Sequence, residues 1–244
     1  MTLLVINPNT TESVTQRLVD AVRSEAGPGC DVRGITARFG ARYISCETSY
    51  AIAGHAALDA WAAWCAAEGE PEAVLIGCFG DPGLWALRER SSAPVIGLAE
   101  ATMREAAALG RFAIVTGGAA WGPMLRRLAL ALGLDNALAR LEIIAPNGAA
   151  LAADPRAAIE LLRAACIKAT AAGDVQSVVL GGAGLAGMAP EVEQGLGVPL
   201  IDSVTSAARA LIAATRSPRD ARPALPVTQL WGALSPELAQ ALRG

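Results

Sequence analysis

The sequence predicts an α/β protein made of two pseudo-symmetric parallel-sheet lobes that face each other. Three observations carry this. Short β-branched apolar runs alternate with longer Ala/Leu/Arg stretches of helical pattern, as in parallel sheets covered by helices. Runs such as Ala73-Val-Leu-Ile-Gly and Ser177-Val-Val-Leu-Gly are apolar throughout, as strands buried on both faces must be. The two halves also echo each other. Pro71-Glu-Ala-Val-Leu-Ile-Gly-Cys-Phe-Gly-Asp-Pro-Gly, followed by Pro94-Val-Ile-Gly, matches Val175-Gln-Ser-Val-Val-Leu-Gly-Gly-Ala-Gly-Leu-Ala-Gly, followed by Pro199-Leu-Ile-Asp, at nearly the same spacing.

Read in order, strands are expected near Thr2–Ile6, Asp31–Ile35, Ala73–Gly77 and Val95–Ile96 in the first half. In the second half they are expected near Arg111–Thr116, Leu141–Ile144, Ser177–Gly181 and Leu200–Ile201. Helical patterns cover Glu12–Ser24, Ala51–Ala67, Ala99–Leu109, Pro123–Leu132, Arg156–Ala172 and Ser203–Ala214. Each half opens with a strand (Leu3-Leu-Val-Ile, Phe112-Ala-Ile-Val) that runs into a small polar turn and then a helix. Residues 1–98 plus 204–244 are expected to form the first lobe and residues 99–203 the second, with the last long helix packing back on the first lobe. The Pro-rich stretch Ser217–Pro226 reads as surface loop.

Composition narrows the function. Apolar residues make up 53% of the 244, enough to bury a substantial core. Aromatic residues make up only 4%, too few for a base-stacking surface, and the net charge of -3 with no basic run gives no footprint for nucleic acid or an anionic membrane. No apolar run reaches the roughly 18 residues of a membrane span, and no leader is evident at Met1–Asn9, so a cytoplasmic location is expected. The cysteines at 30, 46, 65, 78 and 166 form no close pairs, and His55 is the single histidine, so neither a disulfide framework nor a metal site is expected. No Gly-Lys-Ser/Thr loop occurs, and the Gly181–Gly187 run lies too late in the chain for a dinucleotide fingerprint.

Ligands of parallel α/β sheets bind beyond the carboxyl ends of the strands. Four loops fall there: Asn7–Thr11, Cys78–Gly83, Thr116–Ala120 and Gly181–Gly187. Their free N–H groups can converge on a carboxylate or an enolate-like oxygen, although each loop alone also reads as an ordinary turn with a helix cap. Cys78 ends an apolar strand and opens a Cys-Phe-Gly-Asp-Pro-Gly turn, where amides and a nearby helix start should favour its thiolate. An inert buried cysteine is the alternative. Cys65 and Cys166 read as core, Cys30 as peripheral, Cys46 as a loop residue near the site and His55 as an ordinary helix-face histidine. Asp202 reads as a helix cap. Phe79, Trp121 and Tyr50 are candidates for setting specificity.

Ile6-Asn-Pro-Asn-Thr-Thr, Gly77-Cys-Phe-Gly-Asp-Pro-Gly-Leu, Pro94-Val-Ile-Gly-Leu-Ala-Glu-Ala, Phe112-Ala-Ile-Val-Thr and Val178-Val-Leu-Gly-Gly-Ala-Gly followed by Val198-Pro-Leu-Ile-Asp together resemble the aspartate/glutamate/hydantoin racemase superfamily over most of the chain. The resemblance implies an active site between the two lobes and no pyridoxal phosphate, metal or nucleotide cofactor. It also implies an isomerase in which two cysteines flank the stereocentre of a small carboxylate or hydantoin-like carbon acid. One thiolate removes the α-proton and the opposite thiol returns one. Cys78 matches the first cysteine. Asn9 and Thr10 match the first loop, Thr116 and Gly117 the loop after the second lobe's first strand. Phe79, Gly182 and Ala183 complete the expected substrate-binding set, and homo-oligomerisation is expected. The chain departs from the pattern at the second cysteine, where it has Gly182. A one-thiol lyase like the arylmalonate decarboxylases, or a hydantoin- or thiohydantoin-cleaving hydrolase, is therefore a second reading. A non-catalytic binder of small acids is a third.

Overall fold

In the computed structural model, which describes residues 1–145, 148–216 and 232–242, two four-stranded parallel sheets occupy the expected halves. The first contains β1 (Thr2–Asn7), β2 (Asp31–Thr36), β3 (Ala73–Ile76) and β4 (Val95–Gly97) in the order β2-β1-β3-β4. The second contains β5 (Phe112–Gly117), β6 (Leu138–Ile144), β7 (Ser177–Gly181) and β8 (Leu200–Asp202) in the order β6-β5-β7-β8. β1, β3, β5 and β7 are central, which is why their sequences carry no polar alternation: residues 3–6, 73–76, 112–115 and 177–180 are all buried.

Helices cover both sheets: α1 (Glu12–Ala26), α2 (Glu47–Glu68), α3 (Leu84–Arg90), α4 (Leu98–Leu109), α5 (Trp121–Ala131), α6 (Gly148–Ala153), α7 (Pro155–Thr170), α8 (Ala189–Val192), α9 (Ser203–Ala214) and α10 (Pro236–Ala241). α1 buries Thr15, Leu18, Val19 and Val22, one stripe at helical spacing, and ends where Gly27 turns to φ 72°. α7 starts because Pro155 fits a first helical position and the Asp154 side chain accepts from the Ala157 amide. α2 buries Ala53, Ala56, Ala57 and Ala60, and at Gly54 it lies so close to Gly83 that a Cβ would sit 3.3 Å from the Gly83 amide. α9 packs on α1 and α4. Among the described residues no helix is long and apolar enough to cross a membrane. The Ser217–Pro226 stretch lies outside the described residues.

The strand register turns the internal echo into residue equivalences. Ile6 pairs with Ile76 and Ile76 with Gly97; Val115 pairs with Leu180 and Leu180 with Asp202. Two residues beyond Ile76 is Cys78, and two beyond Leu180 is Gly182. Gly182 is thus the second lobe's counterpart of Cys78, and Asp202 the counterpart of Gly97.

α10 is fastened to the first lobe by Leu238, which is buried, and by an ion-pair chain. Arg38 grips Asp59 with two bonds of 2.8 and 2.9 Å and reaches Glu237 at 3.4 Å. Burial opposes the Asp59 charge, but the Arg38 bonds outweigh it and hold that carboxylate below its ordinary range. Arg38→Ala leaves Asp59 buried without its cation and should lower unfolding stability by about 2 kcal/mol, since the exposed side of the pair is already partly screened. Urea denaturation monitored by circular dichroism checks this.

Candidate active site

The carboxyl ends of the two sheets open on one cavity of about 300 Å³. Asn9, Thr11, Arg17, Arg42 and the Gly77–Phe79 turn line it from the first half of the chain. Thr116, Gly117, Trp121 and the Gly181–Leu185 loop line it from the second. Of the expected site residues, Asn9, Cys78, Phe79, Thr116, Gly117, Gly182 and Ala183 therefore meet in one place. Thr10 does not line the cavity; its amide donates to the Ala41 carbonyl at 3.1 Å, and Thr11 takes the place on the wall. Tyr50 stands behind the wall. Its hydroxyl donates to the Gly80 carbonyl at 2.8 Å and its ring meets Trp121 edge-on.

The first loop is fixed from below. The Asn7 amide nitrogen donates to Asn9 Oδ1, the Thr11 carbonyl and Thr15 Oγ1 at 3.0–3.1 Å, and Asn9 Oδ1 also accepts from the Thr11 amide at 2.9 Å. The Asn9 oxygen is thereby engaged, and its amide nitrogen is the group left for a ligand. Across the cleft, Thr116 Oγ1 donates to the Gly181 carbonyl at 2.7 Å, which leaves Thr116 an acceptor. The Gly182 amide is taken by Ser203 Oγ at 3.1 Å.

Cys78 sits where β3 ends, 8% exposed. Its carbonyl accepts from the Gly80 and Asp81 amides at 2.9 and 3.0 Å, which closes a tight turn. Asp81 holds φ 55°, a left-handed conformation uncommon outside glycine. There its buried carboxylate caps α4, accepting from the Ala99 and Glu100 amides at 2.8 and 2.7 Å. Gly97, the residue before α4, has no room for a Cβ because the Asp81 carboxylate fills that space. In the second half Asp202 caps α9 directly, accepting from Val204 and Thr205. The same task falls to the local N-cap in one lobe and to the cysteine turn in the other.

This geometry corrects the expectation of a favoured thiolate. The turn amides of Gly80 and Asp81 are consumed by the Cys78 carbonyl, and the α4 N-terminus is consumed by Asp81. Burial, and then the Asp81 charge, push the Cys78 thiol well up. This environment favours the neutral thiol over the thiolate. The amides left without a partner among the described residues include those of Cys78 and Phe79 on one side and of Ala183 and Gly184 on the other. They are suited to an oxyanion of the ligand.

Two reciprocal contacts fix the lobes at the cleft floor. Phe79 rests on Gly181, and Trp121 of α5 rests on Gly80, each where a Cβ would overlap the ring. Phe79 and Trp121 are 5% and 6% exposed and give the inner cavity an apolar floor. The other cysteines lie elsewhere. Cys65 and Cys166 sit within α2 and α7, and Cys30 is half-buried before β2. Cys46 precedes α2, exposed, with the Ser49 hydroxyl holding its thiol below the ordinary range, and it does not line the cavity. His55 is exposed beside Phe39. Sequence reasoning missed Arg17, Arg42, Tyr43 and Ile44 on the wall, because only the fold brings α1 and the loop before α2 to the cleft.

The family model for Asp/Glu/hydantoin racemase matches residues 3–211. The chain belongs to this family. It is 34% identical to a hydantoin racemase of Paenarthrobacter aurescens over 212 residues, covering 86% of this chain and 89% of that protein. Among solved structures, the allantoin racemase from Klebsiella pneumoniae superposes with a TM-score of 0.80 at 33% identity, covering 87% of this chain and 86% of that one. Allantoin racemase from Pseudomonas fluorescens superposes at 0.82 with 28% identity, covering 87% and 90%. The two-lobed architecture is the family's, and the protein is a racemase-family enzyme.

Proposed function

We propose that this racemase-family enzyme moves a proton at the ring carbon of a hydantoin-like cyclic imide, with Cys78 as the acid/base and no cofactor. One observation carries the choice of substrate. The cavity wall holds a thiol, amides, hydroxyls and two arginines, and among the described residues no Asp or Glu. A free amino acid would bring an ammonium group with no carboxylate to receive it, whereas a neutral imide ring needs only hydrogen-bond partners. The relatives named hydantoin and allantoin racemase support the same substrate class.

In this reading the Cys78 thiolate takes the hydrogen of the carbon between the ring carbonyl and the ring nitrogen. The electron pair of that C–H bond moves into the carbonyl, and the amides of Phe79, Ala183 and Gly184 and the Asn9 amide receive the oxyanion. Return of the proton from the Cys78 thiol restores the original hand. On the opposite face Gly182 offers no acid, so the proton for the other hand comes from water, which that side-chain-free position admits, and the hydroxide left behind takes up the Cys78 proton through solvent to restore the thiolate. We assign the two halves of the site to residues 1–98 plus 204–244 and 99–203; the packing of α9 on α1 supports this division, while α9 also packs on α4 across it.

Gly182 also favours a second reading, a one-thiol lyase in which loss of carbon dioxide forms the enolate and Cys78 protonates it. Product analysis of single enantiomers separates the readings. Racemisation of a 5-substituted hydantoin without mass change supports the first. Carbon dioxide release from a substituted malonate supports the second, and a ring-opened product from the hydantoin would count against both. Gly182→Cys is the matching variant. A Cβ there would meet only Leu185, at 3.5 Å, but φ 145° is a conformation that side chains rarely adopt. The variant should raise the racemisation rate while losing about 1–2 kcal/mol of stability to backbone strain. Chiral chromatography and a denaturant titration read the two effects.

A further inference from the structure

We infer that Arg17 and Arg42 select a substrate whose ring substituent carries a carboxylate. The inference rests on the ring chemistry proposed above and extends it to the part of the substrate that does not react. Both arginines line the cavity, and neither has a carboxylate partner among the described residues. Most other described arginines are paired. Arg38 holds Asp59, Arg88 and Arg104 hold Glu100, Arg127 holds Glu47 and Arg140 holds Asp174. Two unneutralised cations on a wall without acidic side chains make the mouth of this cavity attractive to an anion.

The Arg17 guanidinium is held in advance, and the backbone that carries Arg42 is anchored. Arg17 Nη1 donates across the cleft to the Gly184 carbonyl at 2.8 Å, which spans the two lobes and leaves the rest of its guanidinium fork unused among the described residues. The Arg42 backbone is pinned to the first loop by Thr11 Oγ1, which donates to the Arg42 carbonyl at 2.8 Å, and by the Thr10 amide on the neighbouring Ala41 carbonyl. The fixed Arg17 guanidinium loses less freedom on meeting a carboxylate, and both guanidinium groups can offer paired N–H bonds.

The location assigns this charge to the substituent and not to the ring. The ring carbon must reach Cys78, in the inner part of the cavity walled by Phe79 and Trp121. Arg42 is exposed and Arg17 half-buried, so they stand toward solvent. A proton transfer changes the hydrogen and leaves the substituent in place, so one anion site serves both hands of the substrate. The chemical class is a cyclic imide with a short carboxylate arm, as in the hydantoin of an acidic amino acid.

The test compares hydantoin-5-acetate with hydantoin-5-acetamide, which differ in charge and hardly in shape. In the unaltered enzyme at low salt, kcat/KM for the carboxylate should exceed that for the amide by about tenfold, and the advantage should shrink in 0.5 M salt. Arg42→Gln and Arg17→Gln should each cut the carboxylate-to-amide ratio about fivefold, the scale of one partly exposed charge-assisted pair. Arg42→Gln removes no hydrogen bond from the fold, so it guards against a folding defect in Arg17→Gln. An enzyme that prefers the amide, or a ratio that neither variant changes, overturns the inference. If neither hydantoin is turned over, the proposed reaction has failed. Calorimetric titration of the two compounds then decides this point alone: tighter carboxylate binding that Arg42→Gln abolishes upholds it, and equal binding overturns it.

Discussion

Cys78→Ser should lower turnover of a hydantoin substrate by about 10²- to 10⁴-fold, the range expected when a positioned acid/base group is removed. The fold should survive. Cys78 is a small side chain at the edge of the core, whereas the sheets are held by the central strands, where each buried Val, Leu or Ile contributes roughly 1.5–3 kcal/mol. Unfolding stability should therefore stay within about 1 kcal/mol of the unaltered protein. Burial and the Asp81 charge hold the Cys78 thiol protonated at rest, so the reactive thiolate becomes more abundant as pH rises. In the unaltered enzyme kcat/KM should climb from neutral toward alkaline pH. Residual turnover close to that of the unaltered enzyme would remove Cys78 from the reaction. A rate flat with pH would contradict a buried neutral thiol as its resting form.

Asp81→Ala should produce the largest loss of stability among single changes near the site, about 2–4 kcal/mol. It leaves the buried Ala99 and Glu100 amides at the start of α4 without an acceptor and opens a void against Gly97. The Cys78 turn loses its anchor in the same step. Gly97→Ala should be comparably damaging, because its Cβ would enter the space of the Asp81 carboxylate. The effect carries a pH signature. Burial pushes the Asp81 carboxyl up to about 7, against the pull of the two helix amides. The folded protein thus keeps that proton to a higher pH than the unfolded chain, whose carboxyl has its ordinary value near 4. The protonated form's advantage is complete below that value and is lost as pH climbs through about 7. The stability gap between the unaltered protein and Asp81→Ala should accordingly narrow from pH 4 to pH 8. A gap that widened would show that the cap bonds outweigh burial.

The architecture was legible because central parallel strands are buried on both faces and show it as unbroken apolar runs. All eight strands fall where Leu3-Leu-Val-Ile and its counterparts place them. β6 begins three residues earlier than expected, at Leu138, because it is an edge strand and Arg140 breaks its apolar pattern. The helices α3, α6, α8 and α10 escaped notice because seven, six, four and six residues do not display a full amphipathic repeat. The Cys78–Gly182 equivalence was visible in the internal echo, and the strand pairing assigns it residue by residue. The capping role of Asp81 could not be read, since its partners at Ala99 and Glu100 lie beyond an intervening helix and strand. The resting state of Cys78 was misjudged for a related reason. The turn does supply amides, but the carbonyl of Cys78 itself uses them, and no spacing rule reveals that. Arg17 and Arg42 were invisible as site residues because helix α1 and the loop before α2 reach the cleft only in the assembled fold.

The central claim is that one sulfur, on one face of the ring, carries the proton. It is tested most directly by incubating a single enantiomer of a 5-substituted hydantoin with the enzyme in heavy water and following the ring carbon by proton magnetic resonance. The account predicts that deuterium enters with retained handedness faster than the optical rotation decays, because Cys78 returns solvent-derived deuterons to the face it serves while Gly182 leaves the other face to water. Loss of rotation as fast as deuterium uptake, or uptake that persists in Cys78→Ser, would contradict it.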